Sequence, residues 1–372
     1  MKFSTERAIL LKALAHIQSV AEKRNTIPIL ANVLIQATNQ QVSLKATDME
    51  IEIVERIPAS VVCEGACTVP AAVLYDIVRK LPDNVVIEFD KTDNGLHLQA
   101  GRYATRLNVL PVEDFPSMGT GDFPHTFQIS SAVLQSLVDR IRFAISNEET
   151  RYYLNGIYLH VTDVDGEEKL RAVATDGHRL ARVETSVPPG AAGISGVIIP
   201  RKTVNELRKL MEETSEEISI ALSDTRIQLV IGTITLTSKL IDGVFPDYER
   251  VIPQNNTRVL KVDRKVFSEA VARVAAISQE RSRPVKMSLK TGSLVLSASS
   301  PERGTAKEEL DDNVVFYTSE ELEIGFQARY LGDIMDQIEN EAEFVFADSV
   351  APVIVRSAET SSALYVIMPM RV

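Results

Sequence analysis

Apolar positions along the chain recur with two periods, one of three to four residues and one of two. The longer period marks six segments and predicts an amphipathic helix in each. Three of these helices open successive thirds of the sequence, at residues 5–24, 130–146 and 263–278. A Ser or Asp stands at each expected N-cap. Each third of the chain therefore begins in the same way.

A second helix is predicted midway through each third, in VPAAVLYDIVRKL from residue 69, IPRKTVNELRKL from residue 199 and FQARYLGDIMDQI from residue 326. Pro70 and Pro200 stand where proline favours a helix start. Between the helices, segments such as GLHLQA, IQLVIG and SLVLSA alternate apolar and polar residues. Alternation of this kind predicts antiparallel strands with one buried face.

A short motif repeats with the same spacing as the helices. Ala-Thr-Asp occurs at residues 46–48 and 174–176, and a degraded copy, Ala-Ser-Ser, lies at 298–300. A period of this length is too long for a solenoid and indicates an array of whole domains. We therefore predict an α+β fold of three tandem repeats, each with two helices packed on antiparallel sheets. The predicted domains are residues 1–124, 125–254 and 255–372, and the Pro/Gly-rich stretches 110–124 and 242–257 are interpreted as linkers.

The second copy of the motif is the one candidate for catalytic chemistry, because Thr175, Asp176, His178 and Arg179 lie within five residues. A hydrolase or transferase that uses Asp176 and His178 is one interpretation. The alternative is a turn in which the Asp bonds to local backbone, since the first copy lacks the His-Arg pair. The sequence contains no phosphate-binding P-loop, zinc-binding H-E-x-x-H or G-x-S-x-G nucleophile elbow. We therefore favour the turn and predict no catalytic residue.

The two cysteines, Cys63 and Cys67, lack further metal ligands close in sequence and are interpreted as ordinary thiols in or beside a strand. No metal site and no cofactor is predicted. No apolar run approaches the roughly 20 residues of a membrane helix, and the start of the chain lacks the apolar region of a signal peptide. We therefore expect a cytoplasmic protein with no membrane partner.

The charge of the chain is unevenly distributed. The net charge of −11 argues, taken alone, against a nucleic-acid partner. The six predicted helices nevertheless carry +6 together, which leaves −17 on the rest of the chain. If the apolar faces pack on sheets, the polar faces form a basic surface that suits a polyanion; ordinary solvated helix faces are the alternative. The expected contacts are with phosphate and independent of sequence, because no base-reading motif is present.

Five segments in this order resemble the bacterial DNA sliding clamp family, the beta subunit of DNA polymerase III holoenzyme: RNTIPILANVLI, RYYLNGIYL, ATDGHRLA, DGVFPDYERVIP and YVIMPMRV. The resemblance covers the whole chain. It implies a head-to-tail homodimer that closes into a ring around duplex DNA. It also implies a processivity factor that tethers the replicative DNA polymerase, the clamp-loader ATPase and other proteins by short peptides. A peptide-binding scaffold that never touches DNA is the remaining alternative.

The resemblance also assigns residues. The peptide pocket, between domains 2 and 3, is expected to use Leu154, Thr175, Gly177, His178, Arg179, Leu180, Pro246, Val251, Val366, Met368, Pro369, Met370 and Arg371. Arg179 or Arg371 is expected to meet a peptide acid. A purely structural role is the alternative for His178. For the C-terminal segment, the alternative to a pocket wall is an edge strand packed in the core. The DNA-binding candidates are Arg24, Tyr152, Tyr153, Arg201 and Lys202, although a strand with one buried ring would also explain the two tyrosines. Some acidic residues do not fit a basic surface that faces DNA, namely Glu148, Glu149 and those of the segment 328–339. At the dimer interface, the edge strand GRYATRLNVL with Leu107 is expected to meet Ile277 of the fifth helix.

Overall fold

The computed structural model describes residues 1–21, 27–119, 121–213, 216–278, 284–359 and 362–371. These residues form two compact units. Unit 1 consists of Met1–Gln135, Pro188–Ile194 and Lys202–Leu240, and unit 2 consists of Ser136–Val187, Ser195–Arg201 and Ile241–Val372. The second predicted domain is split between the two units. Some of its strands belong to a sheet of unit 1 and the others belong to a sheet of unit 2.

Each of the six predicted helices is present. They are α1 (Arg7–Ile17), α2 (Ala71–Lys80), α3 (Ser131–Asp139), α4 (Arg201–Met211), α5 (Arg264–Ala275) and α6 (Ala328–Met335). Short 3-10 helices lie at Pro28–Ala31, Val112–Asp114, Arg142–Ala144, Glu149–Leu154 and Tyr248–Val251.

Two of the predicted helices are clearly shorter than expected. The first was predicted over residues 5–24 but spans Arg7–Ile17, and its start is delayed because the strand Lys2–Glu6 continues into the sheet, where Glu6 pairs with Val86. The third helix ends at Asp139, and the strongly non-helical φ of −126° at Ile141 separates it from the next turn. By contrast, Asp263 caps α5 as expected, since its side chain accepts a hydrogen bond from the backbone N–H of Val266 at 2.8 Å.

Unit 1 contains two antiparallel sheets. In spatial order, the five-stranded sheet consists of Ser60–Cys63, Lys2–Glu6, Val86–Thr92, Gly95–Ala100 and Tyr103–Leu107. The eight-stranded sheet consists of His125–Ser130, Glu217–Leu222, Arg226–Ile231, Ile234–Lys239, Ile51–Pro58, Gln41–Thr47, Asn32–Thr38 and Gly65–Pro70. Leu10 and Leu14 of α1 and Leu74 of α2 are fully buried, as the amphipathic pattern predicts.

Unit 2 also contains two antiparallel sheets. The nine-stranded sheet consists of Val197–Pro200, Gly156–Val164, Glu167–Thr175, Arg179–Ser186, Ala363–Ile367, Val353–Ser357, Glu341–Phe346, Arg258–Asp263 and Val315–Tyr317. The four-stranded sheet consists of Gly304–Leu310, Ser293–Ser300, Pro284–Lys290 and Leu322–Gln327. Ala363–Ile367 lies between two neighbours of the large sheet, so the interpretation of the C-terminal segment as an edge strand is wrong.

The second predicted linker, residues 242–257, is packed rather than free. Phe245, Tyr248 and Ile252 are buried in the hydrophobic core of unit 2, beside Leu154 and Val366. The pattern of Pro and Gly indicated a connection without secondary structure, but it did not reveal the three large apolar side chains as an anchor. This segment therefore has a fixed position beside the nine-stranded sheet.

Candidate functional site

The Thr-Asp motif at residues 175–176 closes a hairpin. Thr175 Oγ1 donates to the Arg179 carbonyl at 2.7 Å and accepts from the Gly177 N–H at 3.1 Å. Asp176 Oδ1 accepts from the N–H groups of His178 and Arg179 at 2.9 and 3.0 Å. The prediction of a turn is confirmed. One oxygen of the Asp176 carboxylate holds backbone and the other pairs with Arg179, so this group is not arranged as a base beside His178.

A cavity of about 340 Å³ opens beside this turn in unit 2. Its lining includes the predicted residues Leu154, Thr175, Gly177, Arg179, Leu180, Pro246, Val251, Val366 and Met368. Arg151, Tyr153, Asp247 and Tyr248 also line it and were not predicted as pocket residues. His178, Pro369, Met370 and Arg371 were predicted and lie outside the lining.

The cavity has an apolar floor and a partly apolar rim. Leu154, Leu180 and Val366 are buried in the floor and continue into the core of unit 2. At the rim, the side chains of Val251 and Met368 are 49% and 41% exposed. A concave apolar site of this size with a few polar groups suits one or two apolar side chains of a ligand. The unbranched thioether of Met368 lets the rim adapt to different shapes.

Arg179 contributes to the pocket in a different way from the prediction. Its guanidinium is buried and pairs with Asp176 at 3.1 Å and with Asp333 of α6 at 2.6 Å. It also donates to the Phe143 carbonyl at 2.6 Å, and it lies 4.3 Å from the centre of the Tyr330 ring. Of the two arginines expected to meet a peptide acid, Arg179 therefore has its charged end engaged inside the protein, whereas Arg371 is exposed.

Arg151 is a second cation in the cavity lining, besides Arg179. Its Nε donates to Glu148 at 2.7 Å, and the hydrogen bond and charge of Glu148 raise the pKa of the guanidinium. Gly177 lies directly against it, since a Cβ at that position would stand 2.6 Å from Arg151 Nη1. Gly177 also has φ +86°, a conformation in which other residues are strained. The positive φ explains a glycine at this point of the turn, whereas the flexible end of Arg151 is able to move aside.

Tyr248 and Val251 form the opposite wall, and buried polar residues behind Tyr248 fix its position by hydrogen bonds. The Tyr248 hydroxyl accepts from Arg171 Nη1 at 3.0 Å and lies 3.0 Å from His160 Nε2. Arg171 also pairs with Glu249 at 2.6 Å. Burial raises the pKa of Tyr248, and burial lowers the pKa of His160. The phenol and the imidazole therefore both stay neutral, which suits their hydrogen bond in a low-dielectric site.

The C-terminal segment pairs with the hairpin turn. The Met368 N–H donates to the His178 carbonyl at 2.9 Å, and the Met370 N–H donates to the Gly325 carbonyl at 2.8 Å. The His178 side chain is exposed and stacks on Tyr330 at a centroid distance of 6.3 Å. Arg371 is exposed, and Pro369 is half-buried. His178 and Met370 thus lie next to the pocket and support its wall by main-chain bonds.

Two of the DNA-binding candidates lie close together in the 3-10 helix Glu149–Leu154, so the interpretation of the tyrosine pair as a strand is wrong. Tyr152 is 52% exposed, whereas Tyr153 is half-buried and lines the pocket. The two rings meet edge to face at 5.8 Å. One of the two rings, that of Tyr152, is therefore exposed. Arg24 lies outside the described residues.

Of the other two basic candidates, one is paired with a carboxylate and the other with a backbone carbonyl. Lys202 pairs with Asp48, and Arg201 donates to the Ser146 carbonyl at 3.3 Å. In the same way Lys12 pairs with Glu213 at 2.8 Å, and Lys209 pairs with Glu206 at 2.8 Å. The basic stripes of the helices are therefore less positive than formal charges alone indicate.

The side chain of Leu107 is buried in its own unit, opposite Leu96. The strand Tyr103–Leu107 is nevertheless the last of its sheet, so its outer edge has no neighbour among the described residues. A second cavity, of about 390 Å³, lies beside this edge. It is lined by Val73, Asp76, Ile77, Lys80, Leu81 and Tyr103. Ile277, which follows α5, is half-buried.

Cys63 and Cys67 are free thiols in two neighbouring strand segments, and burial raises the pKa of Cys67 to about 12. Across the described ranges, no group of three or more His, Cys, Asp and Glu side chains is arranged to hold a metal ion. Within the part of the chain that the structure covers, none of the helices has the length and apolar character needed to cross a membrane.

Three family models match the chain in tandem. They are the N-terminal, central and C-terminal domains of the DNA polymerase III beta subunit, at residues 1–119, 128–247 and 249–371. The chain belongs to the DNA polymerase III beta subunit family. It is 48% identical to the beta sliding clamp of Caulobacter vibrioides and 39% identical to that of Pseudomonas aeruginosa, over the full length of each chain.

Solved structures of this family have the same fold. A Bartonella birtlesii sliding clamp, the DNA polymerase III subunit beta bound to griselimycin, superposes with a TM-score of 0.97 at 47% identity. The Caulobacter crescentus subunit superposes with a TM-score of 0.96 at 48% identity, and both matches cover all of each chain. As a sliding clamp of this family, the chain is a processivity factor of DNA replication and not an enzyme.

Proposed function

We propose that the cavity between the 175–179 turn and the Tyr248–Val251 wall binds short peptides of replication proteins. The proposal rests on one observation: a chain of the sliding clamp family has an apolar pocket whose rim, formed by Val251 and Met368, can adapt to different ligands. The expected partners are the replicative DNA polymerase, the clamp-loader ATPase and other proteins with clamp-binding peptides. Arg371, which is exposed, remains a candidate for meeting a peptide acid, and Arg151 in the cavity lining is a second candidate.

We further propose that two protomers form a closed head-to-tail ring around duplex DNA. The outer edge of Tyr103–Leu107 offers unpaired backbone groups, and the exposed side chains of Val73 and Tyr103 lie beside it. A partner strand, together with the segment around Ile277 of the second protomer, would cover both. Pairing the edge in this way would remove a surface that is prone to aggregation.

In this proposal the phosphate backbone of the duplex contacts the ring. The candidate contact residues are Arg24, Tyr152, Arg201 and Lys202. Among them, Lys202 pairs with Asp48, which supports weak and mobile contacts of the kind that suit sliding. A chain without a P-loop cannot use ATP to open a ring, so a separate ATPase must load it. We place the protein in the cytoplasm, where bacterial chromosomes are replicated, and retain the three domains 1–124, 125–254 and 255–372.

The topology of DNA binding tests the ring. The protein is loaded by its clamp loader and ATP onto nicked circular DNA, the complex is isolated, and the DNA is then cut once. A ring stays on the circle in high salt and slides off the linear product. Retention that depends on salt and not on DNA ends would instead describe an electrostatic binder. A protein that never associates with DNA under these conditions and has a monomeric solution mass would favour the scaffold alternative.

The pocket is tested separately with a fluorescent peptide copied from the clamp-binding segment of the polymerase of the same organism. Deletion of residues 368–372 is expected to abolish binding while the dimer persists. Val251→Ala should weaken binding, and Val244→Ala is the matched control because Val244 is also an exposed valine of this segment but does not line the cavity. Equal effects of the two valine substitutions would contradict the proposed site, as would loss of the dimer in the deletion.

A further inference from the structure

The buried charge of Arg179 is held by groups outside the pocket. Its five polar and ring contacts go to Asp176, to the Phe143 carbonyl and ring, and to Asp333 and Tyr330 of α6. The guanidinium lies between the two rings, 4.9 Å from the centre of Phe143 and 4.3 Å from the centre of Tyr330. Helix α6 supplies one ring and the shorter of the two ion pairs.

The same residue fixes the shape of the turn through its backbone. The Arg179 N–H donates to Asp176, and its carbonyl accepts from Thr175 Oγ1. A shift of the Arg179 side chain therefore moves both ends of the turn that carries Gly177. Since Gly177 already touches Arg151, a small displacement there changes the pocket mouth.

We propose that Asp333 of α6 is a positioning residue for peptide binding, acting through Arg179, although Asp333 does not line the cavity. The inference rests on the proposed peptide-binding function. Removing the carboxylate leaves a buried guanidinium with one fewer anionic partner, and a buried charge in that state moves toward new partners or water. Asp333 also has a second cationic neighbour, Arg329, at 3.6 Å. Because Arg329 is mostly exposed, Arg179 is the one of the two whose buried charge depends on Asp333.

The test compares Asp333→Asn with Asp336→Asn. Both substitutions remove one negative charge at α6 or its C-cap, but Asp336 is exposed and has no contact with Arg179. The same fluorescent polymerase peptide is titrated against each full-length protein. Loss of a hydrogen bond between charged groups predicts about tenfold weaker binding for Asp333→Asn. Asp336→Asn is expected to bind within about twofold of wild type, as surface substitutions usually do.

Two further measurements separate positioning from general destabilisation. Hydrogen exchange of the amides at residues 177–179 should become faster in Asp333→Asn and stay unchanged in Asp336→Asn. Asp333→Glu keeps the charge and should recover most of the affinity. If Asp333→Asn unfolds, Tyr330→Leu, which removes one face of the ring sandwich, is used in the same titration and should also weaken binding.

The outcomes distinguish the two proposals. Failure of the wild-type protein to bind the peptide contradicts the proposed function itself. Normal binding by wild type, loss with Val251→Ala and no change with Asp333→Asn would leave the pocket intact and overturn the positioning role. Equal losses in Asp333→Asn and Asp336→Asn would overturn it too, because they would reflect charge alone.

Discussion

The hairpin turn at residues 47–51 in unit 1 and the turn at residues 175–179 in unit 2 have the same internal hydrogen bonds. In each, the Thr hydroxyl donates to the carbonyl four residues on, at 2.9 Å in the first and 2.7 Å in the second. In each, the Asp carboxylate accepts from the backbone N–H groups two and three residues further on. The motif is therefore a way to close a hairpin, and on its own it indicates no function.

The two turns differ in what the Asp pairs with and in the residue at the positive-φ position. Asp48 pairs with Lys202, whose side chain is partly exposed, whereas Asp176 pairs with the buried Arg179. Met49 has φ +76° and lies at an open surface, whereas the residue at φ +86° beside the pocket is a glycine. The comparison teaches that function came from the surroundings of the turn, while the turn itself stayed the same.

The largest difference is expected when the Asp is removed. Asp176→Ala leaves the Arg179 charge buried with one carboxylate partner and should destabilise the protein by about 3 kcal/mol. Asp48→Ala loses backbone hydrogen bonds but leaves a lysine that water can reach, so a loss of about 1.5 kcal/mol is expected. Denaturant unfolding measures both values. Peptide binding should fall only in Asp176→Ala, and equal stabilities with equal binding would erase the distinction between the turns.

A smaller effect is expected at the positive-φ position. Gly177→Ala introduces a left-handed alanine and a contact with Arg151, which should cost about 1–2 kcal/mol and also reduce peptide binding. The converse substitution, Met49→Gly, relieves the left-handed backbone at the expense of chain entropy and should change stability by less than about 1 kcal/mol. Thermal unfolding of the two variants gives the comparison. A Gly177→Ala protein that binds peptide normally would show that the close approach of Arg151 is unimportant.

The two units should also respond to pH in opposite directions. Burial lowers the pKa of His16, but its hydrogen bonds to Glu55 and Glu213 and the charges of these carboxylates outweigh burial, so the pKa is raised overall. Burial lowers the pKa of His160 in unit 2. The His16 contribution is therefore fully present below the unfolded pKa of about 6.5 and is lost as the pH rises through the folded value. The His160 contribution is present above about 6.5 and is lost as the pH falls toward the folded value.

Stabilities of wild type, His16→Gln and His160→Gln at pH 5.5 and pH 8 test these signs. The advantage of wild type over His16→Gln should be larger at pH 5.5. The advantage of wild type over His160→Gln should be larger at pH 8. Parallel changes in the two variants would mean that the two imidazoles are in equivalent environments, contrary to their neighbours in the structure.

The smallest effect is expected for the ionic partner of the first turn. Lys202→Met removes a partly exposed ion pair, which contributes about 0.5 kcal/mol as surface pairs do. Peptide binding should not change. A loss of several kcal/mol in an unfolding titration would show that Asp48 depends on its lysine as strongly as Asp176 depends on Arg179.

The sequence predicted the fold well because its signals are local and periodic. The six helices, the alternating strands and the Thr-Asp turns all follow from residues close together in the chain. The roles of single side chains were harder to predict. The burial of Arg179 depends on Asp333, which is 154 residues away, and no local pattern connects them. The resemblance placed the edge strand with Leu107 at an interface, but alternation alone does not reveal which face of that strand is buried.

The predicted set of pocket residues omitted Arg151 and Tyr248 for the same reason, because no local pattern connects them to the site. Arg151 is one of many arginines in the sequence, and Tyr248 lies in a stretch whose prolines and glycine indicated a linker. The clustering of Phe245, Tyr248 and Ile252 within eight residues was the available signal, since large apolar residues at such spacing indicate an anchored segment. The apolar residues Leu154, Val366 and Met368 came from the resemblance and proved to lie together.

The cavity walls come from residues as far apart in the chain as Arg151 and Met368, so the pocket is complete only when unit 2 is folded as a whole. A peptide that recognises only this assembled site stabilises the native state by mass action, by about 2.7 kcal/mol at a free concentration one hundred times Kd. Occupied clamps would then resist local opening and proteolysis longer than idle ones. Demand for replication would in this way set the lifetime of the protein that supports it.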